Sequence, residues 1–117
     1  MAFQAQFRHD GNRIDFTPAG ALAAGDVVVI ADASDATDAI ICVVANDLAA
    51  NEAGVLLIKG VFAFAKAAGV IALGDTIFWD NTANVATLTA TSNIRIGHVV
   101  KAALTGDTVV YALLTPH

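Results

Sequence analysis

The sequence predicts an all-β domain: a small antiparallel β-barrel or sandwich with an N-terminal arm and little helix. Three observations carry this. First, a Gly-Asp pair opens an apolar run three times, at Gly25-Asp26-Val27-Val28-Val29-Ile30, Gly74-Asp75-Thr76-Ile77-Phe78-Trp79 and Gly106-Asp107-Thr108-Val109-Val110-Tyr111. Gly adopts φ > 0 without a Cβ penalty, Asp closes a turn on nearby backbone, and β-branched or aromatic residues then suit a pleated strand. Second, short apolar runs recur between turn signals, as in sandwiches and barrels. Third, no amphipathic pattern lasts three helical turns, so helix content falls below the usual ~30–35%.

The elements follow in order. Residues 1–17 read as an arm and 18–117 as the β domain. Asp10-Gly11-Asn12 is a turn signal. Arg13-Ile14-Asp15-Phe16-Thr17 alternates polar and apolar, as a half-buried strand does, and Pro18 and Gly20 end it. Val27–Ala31 is a short apolar strand, 32–38 a polar loop and Ala39–Ala45 a second strand. Residues 46–54 read as a loop or one helical turn. Val55–Phe64 reads as one long strand whose internal Gly60 marks a bulge or a corner. Residues 65–69 suit a short helical turn ended by Gly69. Thr76–Trp79, Val85–Thr91, Ile94–Ala103 and Thr108–Leu114 complete the strands.

A chain of 117 residues makes one domain with room for a core. Apolar residues reach 56% and charged residues only 15%, against roughly 45–50% and 25% in ordinary domains. That surplus points to surface buried in a homo-oligomer or a larger assembly; the alternative is a monomer with exposed Ala methyls. Six basic residues against eleven acidic ones give a net charge of −5, and the basic residues are scattered. Phosphate backbones bind through clustered Lys and Arg, so the sequence predicts no nucleic-acid partner. Cys42 stands alone in Ile40-Ile41-Cys42-Val43-Val44 and reads as a small core hydrophobe, which suits a reducing cytoplasm. The N-terminus lacks a continuous apolar h-region. The apolar stretch 54–73 carries Lys59 and Lys66, each costing ~2.5–3.5 kcal/mol at a bilayer centre, so no membrane span is expected.

Catalytic and metal constellations are sparse. Asp32, Asp35 and Asp38 recur every third residue, without the alternate acids, central Gly and closing Glu of a calcium loop. His9, His98 and His117 are far apart and no second Cys joins them, which does not build a zinc site. Ser34 and Ser92 sit in turns, outside any Gly-x-Ser-x-Gly elbow. Trp79 reads first as core and second as a stacking platform for a sugar or base. No cofactor and no enzymatic activity are expected. Phe3, Phe7 and Phe16, with Arg8 and Arg13, place large apolar and cationic side chains on the arm. They either dock on a partner or fold back on their own subunit.

Gly60-Val61-Phe62 with Lys66-Ala67, then Gly74-Asp75 with Phe78-Trp79-Asp80, then Ile96-Gly97 with Ala102-Ala103 resemble the small capsid cement, or head decoration, proteins of tailed bacteriophages. The likeness runs through nearly the whole chain in order. It departs at Ala65, where the family often has Pro, and at Phe78, where it often has Tyr. The resemblance implies a structural virion protein on the exterior of the capsid. It implies the major capsid protein as partner, a homotrimer, and stabilisation of the expanded head. Phe3, Phe7, Arg8, Arg13 and Phe16 are then the expected capsid contacts. The competing expectations are a phage tail component, a carbohydrate-binding β module and, with the least support, a small hydrolase.

Overall fold

The computed structural model describes residues 4–6, 8 and 11–115. Nine strands follow one another: β1 Arg13–Phe16, β2 Val27–Asp32, β3 Asp35–Val44, β4 Gly54–Leu57, β5 Gly60–Ala65, β6 Thr76–Asp80, β7 Val85–Thr87, β8 Ile94–Lys101 and β9 Val109–Leu114. They form two antiparallel sheets, of order β1-β4-β3-β2 and β5-β9-β8-β6-β7. There is no helix among the described residues. The sheets do not close on one another, so of the two expected architectures the sandwich is the one formed.

The Gly-Asp turns work as their chemistry requires. Asp26, Asp75 and Asp107 each turn a carboxylate oxygen back to the amide three residues earlier, on Ala23, Ala72 and Leu104, at 2.9, 2.9 and 2.8 Å. The Asp amides return the bond to the carbonyls of the same residues. Gly25 and Gly74 sit at φ 89° and 88°, where a Cβ is disfavoured. A fourth turn of the same build lacks the Gly-Asp signature. Glu52 Oε1 accepts from Ala49 N at 3.0 Å, Glu52 N donates to Ala49 O, and Asn51 takes the positive φ of 64°.

These four turns belong to two copies of one unit. The first sheet runs β1-β4-β3-β2, and the second repeats it as β5-β9-β8-β6 with β7 added at the edge. The register repeats too. Ile14↔Leu56 matches Phe62↔Ala112, Val28↔Cys42 matches Ile77↔Gly97, and Val44↔Leu56 matches Val99↔Ala112. Outside the ladders, the bridge Leu22↔Leu48 matches Ile71↔Ala103. Gly25 N→Val44 O matches Gly74 N→Val99 O, both at 2.8 Å.

Among the described residues two apolar clusters form the core, and the first of them holds the halves together. One joins Ala39, Ile41 and Val43 of the first sheet to Phe64, Ile71, Ile77, Trp79, Ile94, Ile96, Val99, Val110, Ala112 and Leu114 of the second half. The other lies on the opposite face of the first sheet, around Cys42, Val44, Leu48, Leu56 and Ile58, with Ile14, Phe16, Val28 and Ile30 against it. The first sheet therefore buries both faces. This is why Val27-Val28-Val29-Ile30 is apolar without alternation, whereas β9 alternates exposed and buried residues from Val109 to Ala112.

Several expected boundaries move. Val55–Phe64 is not one strand: β4 ends the first sheet, β5 starts the second, and Gly60 at φ 135° lies where the chain changes sheets. The polar loop at 32–38 shrinks to a two-residue hairpin at Ala33 and Ser34, with Asp32 Oδ1 accepting from Ser34 N at 2.8 Å. Residues 65–69 form no helical turn. Lys66 N donates to Thr108 O and Ala67 N to Ala86 O, which ties this stretch to two strands in extended form. The strand expected at 85–91 stops at Thr87, because Thr87 Oγ1 accepts from the Thr89 amide and Asn93 Nδ2 donates to the Thr89 carbonyl.

Candidate functional site

The expected contact residues do not converge on one described site. Phe3 and Phe7 lie outside the described residues. Arg8 is exposed, with Nη1 donating to Gln6 Oε1 at 3.2 Å. Arg13 opens β1 opposite Leu57 and stays exposed. Phe16 ends β1 half-buried, against the second apolar cluster. Arg13–Phe16 is thus a strand of the first sheet, and the Phe16 ring is already in use by the fold.

The residues weighed for chemistry have structural partners. Trp79 is 5% exposed; its ring leans on Phe64 at 6.0 Å between centroids, and Nε1 donates to Asn81 Oδ1 at 3.1 Å. A buried indole of this kind is core and offers no stacking face. Cys42 is fully buried, and desolvation pushes its thiol up to about 11, the reverse of an activated nucleophile. His98 sits on the outer face of β8. Its Nδ1 lies 3.2 Å from Gly74 O, so Nδ1 carries the proton, and Nε2 accepts from Arg95 Nη2 at 3.2 Å. Among the described residues no three His, Cys, Asp or Glu side chains come together as a metal site.

A cleft of about 590 Å³ opens between the halves, lined by Leu22, Val27, Val43, Phe62, Phe64 and Trp79 with Asp26 and Asn84 at its edge. Asp26 is committed to the Ala23 amide.

Lys66 appears in the sequence motif, but its structural role was not legible there. It is 8% exposed, and its ammonium donates to the carbonyls of Leu104 and Asp107, both at 3.2 Å. It fastens the end of β5 to the turn before β9. The signal was a Lys beside Gly60-Val61-Phe62 in an otherwise apolar stretch.

The apolar surplus of the composition is visible on the surface. Val61, Val109 and Tyr111 are exposed on the outer face of β5 and β9, with Ala63 and Ala65 between them and Lys101 Nζ 5.3 Å from the Tyr111 ring centroid. Val70, Leu73 and Leu104 are more exposed still and lie on the two turns that the Ile71↔Ala103 bridge holds side by side. The molecule therefore offers apolar contact surfaces, while its polar groups mostly close turns.

A family model described as phage cement protein matches residues 8–114. No curated protein and no solved structure matches the chain. The match takes in all nine strands and all four turns, together with Arg8, Arg13 and Phe16, and it begins after Phe3 and Phe7. This chain belongs to the phage cement protein family, whose role is structural and associated with the capsid.

Proposed function

We propose that this protein decorates the outer surface of a phage head and stabilises the expanded shell by bridging major capsid protein subunits. The single observation that carries the reading is the family match over residues 8–114. The physical features agree with it. Exposed Val61, Val70, Leu73, Leu104 and Val109 supply apolar area for burial. A net charge of −5 suits a position away from a polyanionic genome. Internal pressure from packaged DNA separates shell subunits, and a brace attached to several of them raises the cost of separation.

The proposal includes a homotrimer. Once one protomer binds, attachment of the second and third is intramolecular, which raises effective concentration without new contacts. The residues preceding β1, with Arg8 and Arg13, form the proposed arm contact to the shell. No catalytic step is part of the role.

The test uses heads that lack the protein. Adding purified protein should coat them externally, as seen by cryo-electron microscopy, and should raise the temperature at which they release DNA. Protein that co-purifies with tails and leaves heads uncoated would overturn the proposal in favour of a tail component. Solution mass before and after binding checks the trimer.

A further inference from the structure

We infer that Val70, Leu73 and Leu104 form the foot by which this protein seats on the capsid shell protein. The inference rests on the decoration reading above and names the surface that carries it.

The internal duplication supplies the argument. The two halves share sheet order, ladder register and turn build, so surface positions on the matched strands and turns of one half have counterparts in the other. Val70 and Leu73 correspond to Ala21 and Ala24 by the alignment of Gly74-Asp75 on Gly25-Asp26. Leu104 corresponds to Ala49 by the alignment of Asp107 on Glu52. Val100, 40% exposed nearby on β8, corresponds to Ala45. Four positions that are Ala in the first half are Val or Leu in the second. The first half shows that the fold needs no more than a methyl group there.

The large side chains do not serve the core. Val70, Leu73 and Leu104 are 62%, 68% and 67% exposed. The bridge Ile71↔Ala103 brings their two turns together. The nearby acids are engaged in their turns: Asp75 caps the Ala72 amide and Asp107 the Leu104 amide. The result is an exposed apolar knob built on two adjoining turns.

Area selects the occupant. Three such side chains expose roughly 350–400 Å², the size of a functional patch on a monomer. A stable pair of proteins needs about 800 Å² from each partner. The knob alone is too small to hold two free copies together. It is large enough as one of several anchors on a repeating lattice, where simultaneous contacts multiply. The capsid shell is the lattice that a cement protein meets.

The test is the triple variant Val70→Ala, Leu73→Ala and Leu104→Ala, which gives the second half the residues of the first. Its thermal melt and solution mass should match wild type, while its affinity for undecorated heads should fall at least about a hundredfold. Leu104→Glu alone, an exposed single-site change, should weaken head binding in the same direction. Undiminished head binding by the triple variant overturns the inference. So does a loss of self-association, which would assign the knob to a second copy of this chain. Wild-type protein that leaves heads bare overturns the decoration reading and this inference with it, a result distinct from wild-type binding that the variant retains.

Discussion

Gly97 is the position where one added methyl group should do the most damage. It lies in β8, buried, opposite Ile77 of β6 and Leu114 of β9. Its φ of 154° is one that residues with a Cβ rarely adopt, at a cost of about 1–3 kcal/mol. A Cβ there would also overlap the carbonyl oxygen of Leu113 and lie 3.2 Å from its carbon and 3.3 Å from Thr115 Oγ1. A backbone oxygen cannot rotate aside, so β8 and β9 must separate. Overpacking of that kind costs about 1–3 kcal/mol. Gly97→Ala should therefore lose about 2–6 kcal/mol out of a total near 5–15 for a domain. Guanidinium unfolding followed by fluorescence of Trp79, the single and buried tryptophan, reads the loss directly. The counterpart in the first half, Cys42, carries a side chain without strain, so Cys42→Ala is the control and should cost far less. A Gly97→Ala midpoint within about 0.5 kcal/mol of wild type at unchanged denaturant slope would refute the reasoning.

Two further outcomes follow from buried polar groups. Lys66→Met keeps the aliphatic stem but removes the donor to Leu104 O and Asp107 O; unfolding by urea should show a loss of about 1–3 kcal/mol, since hydrogen bonds to charged groups are among the stronger ones. Cys42 titrates near 11 when folded, above its ordinary 9.0, because burial disfavours the thiolate. Between these values the unfolded chain releases a proton that the folded chain retains, so stability should fall as pH rises from 9 to 11. Cys42→Ala should flatten that decline, and a thiol reagent at pH 8 should label the native wild type only as fast as it unfolds.

Local chemistry was legible along the chain; long-range placement was not. Gly25-Asp26, Gly74-Asp75 and Gly106-Asp107 announce their turns because each is built within four residues. The fourth turn escaped because Asn51 and Glu52 perform the same task with different side chains. Its absence from the pattern hid the duplication, as did the added strand β7. The family resemblance was carried by ordered motifs through most of the chain, and the family match over residues 8–114 agrees with it. Phe16 alternates as a strand residue in the sequence, and its pairing with Gly54 of β4 places it in the first sheet.

By itself, the amino-acid sequence determined that this protein is β-rich, turn-punctuated and short of charge. Those properties follow from side-chain shape and from hydrogen bonds between near neighbours. Only the tertiary structure decided that Val55–Phe64 divides between two sheets, and that one face of the first sheet covers the core of the second half. It also decided that Val70, Leu73 and Leu104 stand exposed on neighbouring turns. Exposure depends on what the rest of the chain brings alongside a residue. An apolar side chain reads the same in sequence whether it is buried like Ile71 or left at the surface like Val70 beside it.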